Sequence, residues 1–209
     1  MFGTRRPMSG SRLSPRSRAA AACVTRLIRE KALVKPSGVL CRAAAIFLLG
    51  GCQGVNAPLA TVPQVDLKRF MGDWYVIACI PTFIEKGAHN PVESYRLDAD
   101  GTIATTFTFR AGGFDGEQKR YTPRGYVIDR DSNAVWGMQF VWPIKADYRI
   151  MYLDEGAGQT IIGRQQRDYL WIMARAPRIP DADYQRLIAF AGAQGYDVKR
   201  IEKMPQQWN

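Results

Sequence analysis

From residue 73 onward, apolar and polar positions alternate in short runs, each ended by a cluster of turn residues, at intervals of about ten. The runs predict strands over 73–80, 92–98, 102–110, 119–129, 134–142, 147–153, 159–164 and 168–175. The turns between them carry Asp98-Ala99-Asp100-Gly101, Ala111-Gly112-Gly113, 129–133, 154–158 and 164–167. Eight consecutive strands with short connections predict an all-β fold, an antiparallel up-and-down β-barrel, because closure removes the exposed edges of an open sheet. After the strands the period changes. Pro180 and the acids Asp181 and Asp183 open a helix that Gly195 ends, with Tyr184, Leu187, Ile188 and Ala191 on one face. That face predicts a helix packed on the outside of the barrel.

Alternation also sorts the strand residues by face. Ile103, Phe107 and Phe109 share one; so do Trp136, Met138 and Phe140, and so do Tyr169, Trp171, Met173 and Arg175. An eight-stranded barrel either fills its interior with side chains or holds one small ligand. A lining of aromatics and unbranched Met suits a flexible acyl chain. Trp171, well inside the last strand, is the leading candidate for ligand contact, joined by Phe83 in the long first loop (81–91), which reads as a gate; Lys145 and Arg149 near the rim are candidates to hold a polar head.

Charge changes the picture only at the N-terminus. The chain has 209 residues and a net charge of +10. Residues 1–51 hold ten Lys and Arg against one acid, Glu30, and the remaining 158 residues hold 19 bases and 18 acids. A domain so close to neutral has no general attraction for a phosphate backbone, so nucleic acid is excluded as a partner. Residues 1–51 read as a leader: an Arg-rich extension with Arg5-Arg6, a basic start at Lys35, the apolar run Val39 to Leu49, then small residues before Cys52. Leu49-Gly50-Gly51-Cys52 resembles the bacterial lipobox, which implies cleavage before Cys52 and acylation of that cysteine. Each buried methylene contributes about 0.8 kcal/mol, so several chains on one cysteine make a firm membrane anchor. Residues 52–65 are expected to be the lipidated cysteine and a tether, and 66–209 the folded domain.

Three blocks carry a family resemblance: Gly72-Asp73-Trp74-Tyr75, then Ala146-Asp147-Tyr148 after a Trp-Pro bend, then Arg167 through Arg175. In that order they resemble the lipocalin family, and with the lipobox its bacterial outer-membrane lipoprotein branch. The resemblance implies that Gly72 and Trp74 start the first strand, that Trp74 closes the bottom of the barrel, and that Arg175 lies across its indole. Asp147 and Tyr148 belong to the middle block, where Ala146 replaces the usual Thr or Ser. Phe83-Ile84-Glu85-Lys86-Gly87 resembles a bacterial segment that folds across the open end. The implied function is binding and storage or transport of fatty acids, lysophospholipids or similar hydrophobic molecules at the cell outer membrane. The domain would face the periplasm, anchored through lipid, and a homodimer is compatible with this reading.

Catalytic and metal chemistry have little support. The single histidine, His89, has no nucleophile or acid at a recognisable spacing, no cofactor motif occurs, and isolated Asp and Glu residues read as solvated. Two alternatives stay open: a carrier of haem or another hydrophobic pigment, and a thiol-dependent enzyme using Cys79. In a regular strand Cys79 has the opposite parity to Trp74 and faces outward, whereas a bulge turns it inward.

Overall fold

The structure, a computed structural model, describes residues 57–208. The predicted leader, with Arg5, Arg6, Lys35 and the lipidation site Cys52, lies outside the described residues. In chain order the elements are α1 (Leu67–Phe70), β1 (Gly72–Ile80), β2 (Ala88–Leu97), β3 (Thr102–Ala111), β4 (Gln118–Tyr121), β5 (Arg124–Asp129), β6 (Val135–Val141), β7 (Ile144–Leu153), β8 (Gln159–Gly163), β9 (Leu170–Ala174), α2 (Asp181–Ala193) and β10 (Glu202–Lys203).

Successive strands pair antiparallel, and β9 returns to β1, with Tyr75 opposite Ala174 and Ile80 opposite Leu170, so the barrel closes. β4 and β5 are two halves of the stave predicted over 119–129, and both pair with β3. The break falls at Thr122-Pro123, where proline has no N–H for the ladder, and the Thr105 amide donates to the Pro123 carbonyl at 3.1 Å. Counting that pair as one stave gives the eight-stranded barrel. β2 begins at Ala88, four residues earlier than the pattern predicted.

Two apolar clusters lie on opposite sides of the sheet. The inner one gathers Trp74, Val76, Tyr95, Ile103, Phe107, Phe109, Trp136, Met138, Tyr148 and Met173. The outer one packs Ile77, Ile161, Leu170 and Ile172 under Leu187, Ala191 and Tyr196, with Tyr184 and Ile188 at its margin, which is the helix face read from the sequence. Tyr196 locks the end of α2 to β8: its hydroxyl accepts from the Arg164 amide at 2.8 Å and donates to the Arg164 carbonyl at 3.1 Å. Gly163 makes room for it, since a Cβ there would come within 2.4 Å of the Tyr196 hydroxyl oxygen.

The register between β1 and β9 shifts between Val76 and Ala78. This bulge places Val76 and Cys79 on the inner face and Ile77 and Ala78 on the outer. Beyond Tyr75 opposite Val92, β1 leaves β2, and the C-terminal tail fills the seam. β10 pairs Ala78 with Lys203 and Cys79 with Glu202, and the Gln206 amide donates to the carbonyls of Val76 (2.8 Å) and Pro91 (3.2 Å). Met204 turns inward and meets the Cys79 sulfur at 3.4 Å.

The closed end is built around Trp74, fully buried. Asp66 caps α1 by accepting from the Lys68 and Arg69 amides, which aims Phe70 into the barrel base. The Trp74 indole donates to the Phe70 carbonyl at 2.8 Å. The Arg175 guanidinium lies 3.8 Å from the Trp74 ring centre and donates to the carbonyls of Arg69, Phe70, Met71 and Asp73 at 2.8 to 2.9 Å. Gly72 sits beneath it at φ +94°, a conformation a larger residue adopts only with strain. The segment expected as a tether departs from the prediction where it is described: Leu59 and Val65 are buried, and the Val62 amide donates to the Ile150 carbonyl at 3.0 Å. Residues 59–65 are therefore docked on the domain, Val62 and Val65 against the inner cluster and Leu59 against the outer one.

Arg175→Ala is expected to lower the unfolding free energy by on the order of 2–4 kcal/mol, through the lost ring contact and the donors lost to the carbonyls of Arg69, Met71 and Asp73, since Phe70 keeps the Trp74 indole. Arg175→Lys should recover less than half, since an ammonium cannot reach all four. Urea titration of the three proteins checks this; equal midpoints would show that the base closes without the guanidinium.

Candidate functional site

The lower half of the barrel is solid. Trp136 stacks on Tyr148 at 5.2 Å and meets Phe70 edge-on at 5.4 Å, with Tyr95 and Ile103 beside them. This aromatic plug supplies a floor. Above it the wall carries Cys79, Phe107, Phe109, Met138, Met173 and the half-buried Trp171, and the first loop bends inward as a lid. The lid is held by Glu85, which is buried and accepts from both the Trp171 indole N–H and the Thr82 amide. Ile84 packs against the inner cluster beside it.

Glu93 stands on the floor. Tyr95 donates to its carboxylate, and the Tyr95 and Tyr148 hydroxyls are 2.6 Å apart, so a chain of three polar groups crosses the base of the chamber. Burial, reinforced by the negative charge of Glu85, pushes the Glu93 carboxyl up to about 8, so it holds a proton at neutral pH. Its side chain is nevertheless only half-buried. Burial likewise raises the Cys79 thiol far above its usual range, with Glu85 next in effect, and raises Tyr148. A thiol held protonated and enclosed lacks the thiolate a nucleophile needs, which weighs against the Cys79 enzyme.

A Lipocalin-like domain family model matches residues 65–206, more than half of the chain. The chain belongs to the lipocalin family. Among curated relatives, the Outer membrane lipoprotein Blc of Escherichia coli K12 is 28% identical over 171 residues, 76% of this chain and 90% of that one. Temperature-induced lipocalin-1 of Arabidopsis thaliana is 28% identical over 160 residues, covering 71% and 83%. Among solved structures, insecticyanin of the tobacco hornworm superposes with a TM-score of 0.59 at 12% identity, covering 75% of this chain and 87% of that one, a likeness of fold.

Within this lipocalin the predicted site residues divide. Trp171, Phe107, Phe109, Met138 and Met173 come together around the chamber, whereas Trp136 and Ile103 lie in the plug below it. Five expected positions are corrected. Phe140 is exposed because the pairing of β6 with β7 shifts between Met138 and Val141, which breaks the alternation. Tyr169 precedes β9 and packs against the outer cluster under Arg164. Phe83 is 84% exposed, and its neighbours Ile84 and Glu85 fill the lid instead. Lys145 lies over the Tyr126 ring on the outer surface, and Arg149 pairs with Asp147 beside Tyr148, whose own side chain faces inward. Asp147 also accepts from the Gln165 amide at 2.7 Å, tying β7 to the turn before β9.

The sequence reading missed Glu85 and Glu93. For Glu93 a signal exists: it shares parity with Tyr95 and Leu97 on β2 and so belongs to their inner face. A large cleft, about 860 Å³, opens outside the calyx at the closed end, between Val62–Asp66, α1 and the 153–157 turn.

Because folding raises the Glu93 pKa, the native state holds a proton that the unfolded chain loses above about pH 4.5, the usual carboxylate range. Stability is therefore predicted to fall with rising pH from there to about 8, by up to about 1.4 kcal/mol per pH unit from this group, and to level off above. Glu93→Gln should match the parent near pH 4 and melt higher than it at pH 8.5. Thermal melts across that range check it; parallel curves for the two proteins would contradict the assignment.

Proposed function

We propose that this lipocalin binds hydrophobic small molecules carrying one flexible acyl chain, of the fatty-acid or lysophospholipid kind, and stores or carries them in the cell envelope. The carrying observation is the apolar lining of the barrel between the aromatic floor and the Glu85 lid. Its walls are apolar and adaptable, and its inner Trp171 and Glu93 are incompletely covered. Apolar burial of the chain supplies most of the affinity, at about 25 cal/mol per Å². The lid must lift for entry, which breaks the Trp171–Glu85 hydrogen bond. The two basic residues expected to hold an anionic head, Lys145 and Arg149, stand on the outer surface, so within this ligand class a buried carboxylate is the less favoured end.

The relatives and the leader together support this site of action. Blc proteins are named outer membrane lipoproteins, and Leu49-Gly50-Gly51-Cys52 resembles the matching lipidation signal. On this reading the mature chain starts at acylated Cys52 and the domain sits on the periplasmic side of the outer membrane.

Native mass spectrometry of the protein extracted from membranes should show bound acyl species. Trp171→Ala should weaken binding of a long-chain lysophospholipid by about tenfold or more, because it removes a large apolar contact and frees the lid. Cys52→Ser should move the protein out of the membrane fraction. An empty barrel that takes up no acyl probe would remove the carrier reading.

A further inference from the structure

The connections that follow β1, β3, β6 and β8, at 81–87, 112–117, 142–143 and 164–169, lie at the end away from Trp74 and frame the mouth of the barrel. Exposed apolar residues cluster at one of them, the tip joining β6 to β7: Phe140, Val141, Ile144 and Trp142, the last 82% exposed. Phe83 and Phe114 are exposed on two of the others. Residues 139–145 contain no acid and one base, Lys145. Apolar side chains gathered on a projecting tip mark a surface that meets a partner.

The entry point of the chain says which partner. The Ala57 carbonyl accepts from the Gln165 side-chain amide at 3.2 Å and from the Arg167 guanidinium at 3.0 Å, and the Leu59 amide donates to the Gln165 side chain at 2.9 Å. The segment therefore starts beside the β8–β9 connection, on the mouth side, and runs to the base, where the Val65 amide donates to the Ser132 carbonyl at 2.7 Å. Cys52 precedes Ala57 by five residues, at most about 18 Å of extended chain. Gln165 is held on Asp147, and from Asp147 to Ile144 at the tip is three residues of β7, about 10 Å. From Asp147 to Leu153 at the other end of β7 is about 20 Å, with the 154–158 turn and α1 beyond. A lipidated Cys52 reaches the level of the tip and falls short of the base.

We propose that the barrel sits mouth-down on the lipid bilayer that holds Cys52, with the Trp142 tip in the headgroup layer. This rests on the lipidated-cysteine reading above and adds which end of the domain meets the membrane. An indole among exposed aliphatic side chains suits that layer, where its apolar body leaves water and its N–H stays hydrated. The acyl chains hold the protein at the surface; the tip sets its direction. A second copy covering the tip would instead hold the mouth away from the surface to which the short tether brings it. Mouth-down, a ligand chain passes from the leaflet into the calyx without crossing water.

The test uses the full chain, isolated from membranes with Cys52 acylated and returned to vesicles of phosphatidylethanolamine and phosphatidylglycerol. One cysteine is introduced at a time, Trp142→Cys or Ile144→Cys at the tip, or Arg130→Cys on the exposed turn between β5 and β6 at the base, and labelled with a polarity-sensitive dye; Cys79 is buried. Relative to the soluble Cys52→Ser form of each protein without vesicles, both tip labels should shift to the blue and lose quenching by aqueous iodide, while the Arg130 label should change in neither respect. Ile144→Cys repeats the measurement with Trp142 in place. Tip labels as open to iodide on vesicles as in solution, or a shielded base label, would overturn the orientation and leave the anchor and the calyx standing. Tip labels already shielded in a soluble form of twice the monomer mass would overturn it in favour of a second copy. An intact mass showing unmodified Cys52 in the membrane fraction would remove the anchored reading and the orientation with it.

Discussion

One guanidinium holds the base of this barrel. Arg175 lies on the Trp74 ring and collects the carbonyls of Arg69, Phe70, Met71 and Asp73, the stretch where α1 passes into β1. The turn from helix to strand leaves those oxygens without ladder partners, and a single planar fork with several donors satisfies them together. Burial lowers the Arg175 pKa from a very high starting point, so the charge persists. The interaction is local, but its consequence reaches further. It fixes Phe70 and Trp74, these seat Trp136 and Tyr148, and that stack defines where the floor ends and the chamber begins.

The polar content of the chamber follows from the same geometry. Tyr148 is inward because β7 carries it between Asp147 and Arg149, which satisfy each other on the outer face. Its hydroxyl meets Tyr95, and Tyr95 meets Glu93. A carboxyl in this position is costly unless protonated or paired, which is why its proton affinity is raised.

Much of this could be read from residue order, and the remainder could not, for identifiable reasons. The alternation over 102–110 gave Ile103, Phe107 and Phe109 their shared face correctly, because β3 is regular from end to end. Trp74 precedes the bulge of β1, Arg175 follows β9 directly, and the face of α2 lies in an uninterrupted helix. Parity failed where the ladder slips: at Phe140, beyond the shift between Met138 and Val141, and at Tyr169, which lies outside its strand. Cys79 was undecided on paper because a single extra residue between Val76 and Ala78 reverses its side. Glu85 is beyond pattern reading altogether, since a loop side chain turns inward only when a distant partner, here the Trp171 indole, waits for it.

The wall of the calyx is completed by residues far downstream of the strand they close on. β1, the first stave, finds its closing neighbours in β9 and β10, roughly a hundred residues and more downstream, and Gln206 stitches the remaining gap. Contacts so far apart in sequence carry the largest loop-closure cost and form slowly. During synthesis the apolar inner face therefore stays an open sheet until residues 202–206 arrive. The nascent domain needs shelter from self-association for that interval, the one time at which its interior is reachable without lifting the lid.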